Sequence, residues 1–225
     1  MSRELHFKRR PPVSGEAKSL VVFLHGYGAD GADLLGLADP LGPHMPDTVF
    51  IAPDAPEPCA GNPMGFQWFP IPWIDGSSEE LAADGVRQAV GDVDAFITRV
   101  LAEEGIAPDR LVVFGFSQGA MLALQALVKR DAPVAGIVAC SGRVLEPERF
   151  AGAVRVKPPV LLMHGDQDEV VPPAHFDEAG QLLEAAGFEV YGHIMEGTGH
   201  GIAPDGLSVA LAFMADKLGI GLNAG

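Results

Sequence analysis

Gly115-Phe116-Ser117-Gln118-Gly119 places a serine between two glycines, the GxSxG spacing of a turn in which a strand passes sharply into a helix and exposes the serine hydroxyl. An apolar run from Leu111 precedes this turn and a helix-compatible stretch, Ala120 to Lys129, follows it, so the local context fits. The requirement is steric: the serine sits in a strained backbone conformation, and small residues at 115 and 119 let strand and helix approach closely. A serine hydroxyl is a weak nucleophile at neutral pH, so a base must take its proton during attack and return it to the leaving group. Histidine suits both steps. Of seven histidines, His200 lies in Glu196-Gly-Thr-Gly-His200-Gly, a glycine-rich loop between the last predicted strand and the last helix, from which a ring can project over the strand ends. His193 falls within a strand and His175 at a helix start, where packing or exposure accounts for them. His6 and His44 carry no signal.

The base needs a carboxylate to fix its tautomer and to stabilise the imidazolium that forms. Leu161-Leu-Met-His-Gly-Asp166-Gln-Asp168-Glu-Val-Val-Pro172 offers two, Asp166 and Asp168, just after a buried run. Asp166 is close enough to the strand end to serve the turn itself through side chain to backbone bonds. Acyl transfer also develops negative charge on the former carbonyl oxygen, and backbone donors must already point there. Gln118 supplies one N–H; the second is expected from Leu24-His25-Gly26-Tyr27-Gly28-Ala29-Asp30, where glycines let the backbone turn its amides inward, and Tyr27 is the choice.

These residues need a scaffold that brings four loops together. Short, nearly continuous apolar runs, Leu20 to Leu24, Val49 to Ala52, Leu111 to Phe116, Val134 to Ala139 and Val160 to Met163, are separated by amphipathic stretches. Parallel strands covered on both faces read this way. Phe188 to Ile194 alternates as an edge strand does, and Leu5 to Phe7 suggests another. A helix is predicted from about Glu79 to Glu104 on the spacing of Val86, Val90, Val93, Ile97 and Val100, with Ser77 and Glu80 as a capping box and Gly105 as its stop. Leu207, Leu211, Met214 and Leu218 repeat the helical spacing before Gly219. The alternation predicts an α/β fold, a mostly parallel central sheet with helices on both faces. Residues 53–76 fit neither pattern: this proline- and glycine-rich segment carries Phe66, Trp68, Phe69, Ile71, Trp73 and Ile74, and reads as a loop that caps the core, flanks the substrate, or both.

At 225 residues and 48% hydrophobic composition, residues 1–225 are expected to form one domain. A formal net charge of -15 argues against nucleic acid and anionic lipid as partners. No run approaches the ~18 apolar residues of a bilayer span, the N-terminal MSRELHFKRRPP lacks the apolar core of a signal peptide, and two isolated cysteines show no disulfide framework. A soluble, cytoplasmic protein with no stable membrane insertion is expected. An apolar surface near the 53–76 loop could pair subunits.

Taken together, LHGYGADGADL, GFSQGA, HGDQDEVVP and GTGHGI resemble the phospholipase/carboxylesterase family of the α/β-hydrolase superfamily, which includes bacterial carboxylesterases and acyl-protein thioesterases. The similarity runs from about Leu20 to Leu218 with four motifs in order. It implies an α/β hydrolase with little or no lid domain, acting on small-molecule carboxylic esters or thioesters without cofactor. It also implies a triad of Ser117, Asp168 and His200, which decides between the two aspartates, and an oxyanion hole from the amides of Tyr27 and Gln118. The chain order Ser, Asp, His is the one this topology dictates.

The chain departs from the family around Phe66 to Ile74, where GFQWFPIPWI stands in place of the usual aromatic, phenylalanine and aspartate ending. Trp68, Phe69, Ile71 and Trp73 there are expected to favour an apolar acyl or alcohol group. The expected activity is hydrolysis of esters with small to medium acyl chains. Thioester or lysophospholipid hydrolysis would use the same groups, and a silent binding protein would share the fold. A metal hydrolase is disfavoured because His25 and His164 each end a strand beside glycine and no HExxH pattern occurs. Cys140, after a buried run, reads as packing rather than as a nucleophile.

Overall fold

The computed structural model describes residues 2–59 and 62–222. In chain order the elements are β1 (Phe7–Arg10), β2 (Ser19–Leu24), α1 (Gly31–Leu35), α2 (Ala38–Leu41), β3 (Thr48–Pro53), β4 (Glu57–Cys59), β5 (Asn62–Gln67), α3 (Pro72–Asp75) and α4 (Glu79–Glu104). They continue as β6 (Leu111–Phe116), α5 (Gln118–Leu127), β7 (Gly136–Cys140), α6 (Pro147–Ala153), β8 (Val160–Gly165), α7 (Ala174–Ala185), β9 (Val190–Met195) and α8 (Pro204–Leu218).

Seven strands form one sheet in the order β1-β3-β2-β6-β7-β8-β9. Every pairing is parallel except that of β1 with β3. The strand period of two divides the apolar residues cleanly between the faces. Leu20, Val22 and Leu24 of β2 join Leu111 and Val113 of β6 beneath α4, α5 and α7. Val21 and Phe23 join Val112 and Phe114 beneath α1, α2 and α8. The central strands are buried on both sides, which is why they read as unbroken apolar runs.

The long helix α4 has the predicted bounds, but its cap is one residue later than expected: Ser78 Oγ, not Ser77, accepts from Leu81 N–H at 3.1 Å. Ser78 is the N-cap because its backbone is extended (ψ 153°) immediately before the first helical residue. Gly105 closes the helix at φ 66°, and Gly219 does the same for α8. The N-terminal edge strand lies at Phe7–Arg10, later than Leu5 to Phe7, pairing antiparallel with β3, while Leu5 is buried in the core.

Residues 53–76 are not a structureless loop. They contain the antiparallel hairpin β4–β5 and one turn of helix, α3. Pro58 and Gly65 hide the strand pattern. Gly65 is required because a Cβ there would overlap the backbone of Gly28, over which the hairpin lies. Among the described residues no helix is long and apolar enough to cross a membrane.

Candidate functional site

The parallel strands all end on one edge of the sheet, and the loops that leave β2, β6, β8 and β9 there carry the residues singled out above. Ser117 stands between β6 and α5 with φ 53° and ψ -117°, one of three non-glycine residues of positive φ among those described. A Cβ at Gly115 would overlap Gly119 and Ala120, and one at Gly119 would overlap the carbonyl of Leu24, so the small residues allow the helix to enter against the sheet. Ser117 N–H donates to Cys140 O of the neighbouring strand at 2.8 Å, which pins the turn.

His200 reaches this serine from the loop after β9. Its Nε2 lies 3.0 Å from Ser117 Oγ and its Nδ1 lies 2.7 Å from Asp168 Oδ2. The carboxylate can only accept, so Nδ1 carries the hydrogen and Nε2 is left to receive the serine proton. Phe116 packs against the imidazole with ring centroids 4.9 Å apart.

Asp168 is buried, and its other oxygen accepts from Val170 N–H and Val171 N–H, each at 2.9 Å. Burial pushes its pKa up, but the bonds from His200 and from the two amides outweigh burial and hold it below the ordinary aspartate value. The turn role expected of Asp166 therefore belongs to Asp168; Asp166 is exposed. One carboxylate both closes the turn and faces the histidine.

Two further residues support this side of the site. A Cβ at Gly165 would overlap the carbonyls of Thr198 and Gly199, so glycine there lets the aspartate and histidine loops pack together, joined by Gln167 N–H to Thr198 O at 3.0 Å. His164, buried beneath, has Nε2 2.8 Å from Val171 O and 3.4 Å from Asp168 Oδ2.

On the other side, Tyr27 follows β2 between Gly26 and Gly28, the latter at φ 80°. Gln118 is the first residue of α5, where an N–H has no partner within the helix. The hairpin fastens the Tyr27 loop through Gly28 N–H to Phe66 O at 2.9 Å and Phe66 N–H to Ala29 O at 2.8 Å. The same loop does start a helix, with Asp30 capping α1 through Asp33 N–H.

The four residues of the 53–76 segment expected at the substrate separate. Trp68 has no exposed surface, and its indole N–H donates to His25 O at 2.9 Å, so the expectation that it lines the substrate is corrected: it is a buried strut. The nearby aromatic residues Phe66 and Phe69 read equally well as wall or core. Phe69 and Ile71 do line a cavity of about 260 Å³, together with Pro72, Val86, Met121 and Leu145. Met121 N–H donates to Ser117 O at 3.1 Å, which places one wall of the cavity a helical turn from the serine. The side chain of Trp73 lies outside the described residues.

Three of the remaining histidines have hydrogen-bond partners away from the serine: His193 with Asp205 at 2.8 Å, His175 with Glu178 at 2.7 Å, and His25 with backbone. Cys140 is buried, and burial pushes its thiol up to about 12, which leaves no thiolate at neutral pH.

The family model for Phospholipase/Carboxylesterase matches residues 12–218. Acyl-protein thioesterase 1 of Saccharomyces cerevisiae is 31% identical over 218 residues, covering 90% of this chain and 94% of that protein. Esterase YpfH of Escherichia coli K12 is 27% identical over 207 residues, covering 92% and 85%. Among solved structures, esterase PE8 superimposes with a TM-score of 0.90 at 43% identity, over 96% of this chain and 100% of its own.

Proposed function

Because the chain belongs to the phospholipase/carboxylesterase family, we propose that it is a serine carboxylesterase that hydrolyses small-molecule carboxylic esters through an acyl-enzyme. The observation that carries this is the unbroken hydrogen-bond chain from Ser117 Oγ through His200 to Asp168, with the serine held at a strained turn. His200 Nε2 takes the hydroxyl proton as Oγ attacks the ester carbonyl. The oxygen becomes negative within reach of the amides of Gln118 and Tyr27, each such donor being worth about 2.7–4 kcal/mol. Collapse expels the alcohol, which receives the proton from His200, and a water activated by the same nitrogen then releases the acid. Asp168 stays ionised throughout and stabilises the imidazolium.

The test is mass mapping after treatment with a fluorophosphonate, beside hydrolysis of p-nitrophenyl esters. One adduct per chain on Ser117 with parallel loss of activity is expected. Neither adduct nor turnover would leave a hydrolase fold that only binds. A thioester reading is favoured by the name of the yeast relative, and the same groups serve it. Matched oxygen and sulfur esters of one acid separate the two by their kcat/KM values.

The cavity beside Phe69 and Ile71, whose lining is mostly apolar but includes Glu79, Arg143 and Glu146, supports an apolar acyl group of limited length, since its volume of about 260 Å³ falls just below the roughly 300–1,000 Å³ usual for ligand pockets. Ile71→Trp should fill it. Hydrolysis of p-nitrophenyl octanoate is then expected to fall about tenfold or more while p-nitrophenyl acetate changes less than about twofold, given the 10–200-fold worth of a methylene in such a pocket. An equal change for both esters would place the acyl chain elsewhere.

A further inference from the structure

The oxyanion-hole reading names two backbone donors but not what aims them, and three buried side chains outside the triad converge on that backbone. The amide plane between Gly26 and Tyr27 contains both the Gly26 carbonyl and the Tyr27 N–H, and peptide planarity makes their directions opposite and inseparable. His25 Nδ1 lies 2.7 Å from Gly26 O. A carbonyl cannot donate, so Nδ1 carries the hydrogen; His25 Nε2 then accepts from Ala55 N–H at 3.0 Å. The imidazole is fully buried and neutral in this arrangement, in keeping with a pKa lowered by burial. It therefore grips the very peptide unit whose N–H would meet the oxyanion, fixing its plane and, by donating to its carbonyl, polarising the N–H.

Gln118 presents the second donor, and its side chain is turned away from the reaction. The amide Oε1 accepts from Trp68 N–H at 2.8 Å, while Nε2 donates to Phe69 O at 2.8 Å. A backbone donor and a backbone acceptor specify the orientation of that amide completely. Trp68 closes the circuit, its indole donating to His25 O at 2.9 Å and its ring packing on the imidazole at 5.3 Å. Every one of these groups is buried, so the bonds are made without competition from water, and losing one leaves a buried backbone group unpaired.

We propose that His25, Trp68 and the side chain of Gln118 are positioning residues for the oxyanion hole, locking the Tyr27 and Gln118 amides into one geometry through Ala55, Trp68 and Phe69. This inference rests on the serine-esterase reading. It explains why a fully buried tryptophan occurs in a segment that otherwise looks like substrate wall, and why the Gln118 side chain turns toward that segment. Preorganised donors stabilise the transition state more than the ground state, so the network should act on kcat rather than KM.

A pair of substitutions at His25 separates positioning from packing. In His25→Asn the amide nitrogen can stand where Nδ1 stood and keep the bond to Gly26 O, whereas in His25→Gln the longer side chain reaches Ala55 and leaves Gly26 O. His25→Gln is expected to lower kcat about 10- to 100-fold with KM within about twofold, a fraction of the 10²–10³ worth of one oxyanion donor. His25→Asn should recover most of that loss. Affinity for an alkylboronic acid, whose tetrahedral adduct on Ser117 places an oxygen at the hole, should weaken in proportion to kcat/KM across the series. Gln118→Met, which nearly keeps volume, and Trp68→Phe, which keeps an aromatic ring but loses the indole N–H and some volume, extend the series should a His25 variant fail to fold.

Equal kcat for the two His25 variants, or boronate affinity unchanged in a folded variant of lowered activity, would overturn the proposal. So would variants that lose only melting temperature. Fluorophosphonate labelling and ester turnover of the unaltered protein test the serine-esterase reading separately, and their failure would remove both.

Discussion

Ser117→Ala is expected to lower kcat for p-nitrophenyl butyrate on the order of 10⁶-fold and to abolish fluorophosphonate labelling, the magnitude found when a serine nucleophile is removed from a complete triad. No neighbouring group can substitute for it: Cys140 Sγ lies at the end of β7 with its thiol pushed up to about 12, and Ser141 is fully buried. The melting temperature should barely move, because alanine and serine carry the same backbone penalty at φ 53°. Ser117→Gly makes the complementary control. Glycine removes that penalty, of order 1–3 kcal/mol for a residue held in such a region, and should give an equally inactive protein that is more stable than Ser117→Ala. Titration with a fluorophosphonate and thermal melts of the three proteins check both expectations. Activity in Ser117→Ala above about 1% would require another nucleophile.

The strained serine also shows what was legible in the chain. The GxSxG turn could be read because its constraint is local: glycine at 115 and 119 is forced by backbone that lies within five residues or on the adjacent strand. The central strands could be read because burial on both faces leaves a continuous apolar run in β2, β3, β6, β7 and β8. The family motifs add the choice of Asp168, which spacing alone left open. What could not be read depends on distant partners. The Gln118 side chain is fixed by Trp68 and Phe69, 50 and 49 residues away, and nothing in GFSQG distinguishes an amide that clamps a loop from one that faces solvent. Trp68 failed for the same reason: an aromatic residue in a proline-rich segment reads as substrate wall until the carbonyl of His25 is seen to take its indole N–H. The pair β4–β5 escaped because it leans on the Tyr27 loop rather than on the sheet, and because β4 spans three residues while Pro58 and Gly65 interrupt the strand pattern.

Asp168→Asn is expected to lower kcat by about 10⁴-fold, or roughly 5 kcal/mol of transition-state stabilisation, without disturbing the loop that carries it. The asparagine oxygen can keep both bonds from Val170 N–H and Val171 N–H, so the turn survives. Its NH₂ would face His200 Nδ1, which must then accept. The ring hydrogen moves to Nε2, and the nitrogen 3.0 Å from Ser117 Oγ can no longer take a proton. Loss of activity would thus come from the wrong tautomer rather than from misfolding, and fluorophosphonate labelling should slow in the same proportion as ester hydrolysis. Stability separates this account from a structural one. Asp168 is held below the ordinary aspartate value in the folded protein, so it binds a proton less readily there than in the unfolded chain. Its contribution is present above the unfolded pKa and is lost as pH falls through the lowered folded value, below about pH 4. Asparagine does not titrate, so the melting temperature of Asp168→Asn should fall less steeply than that of the unaltered protein over that acid range. Asp168→Ala removes the turn bonds as well, and should be less stable than Asp168→Asn at every pH. If the asparagine variant instead kept more than about a tenth of the activity, the carboxylate would not be orienting the base, and the reading of Ser117, His200 and Asp168 as one catalytic unit would fail.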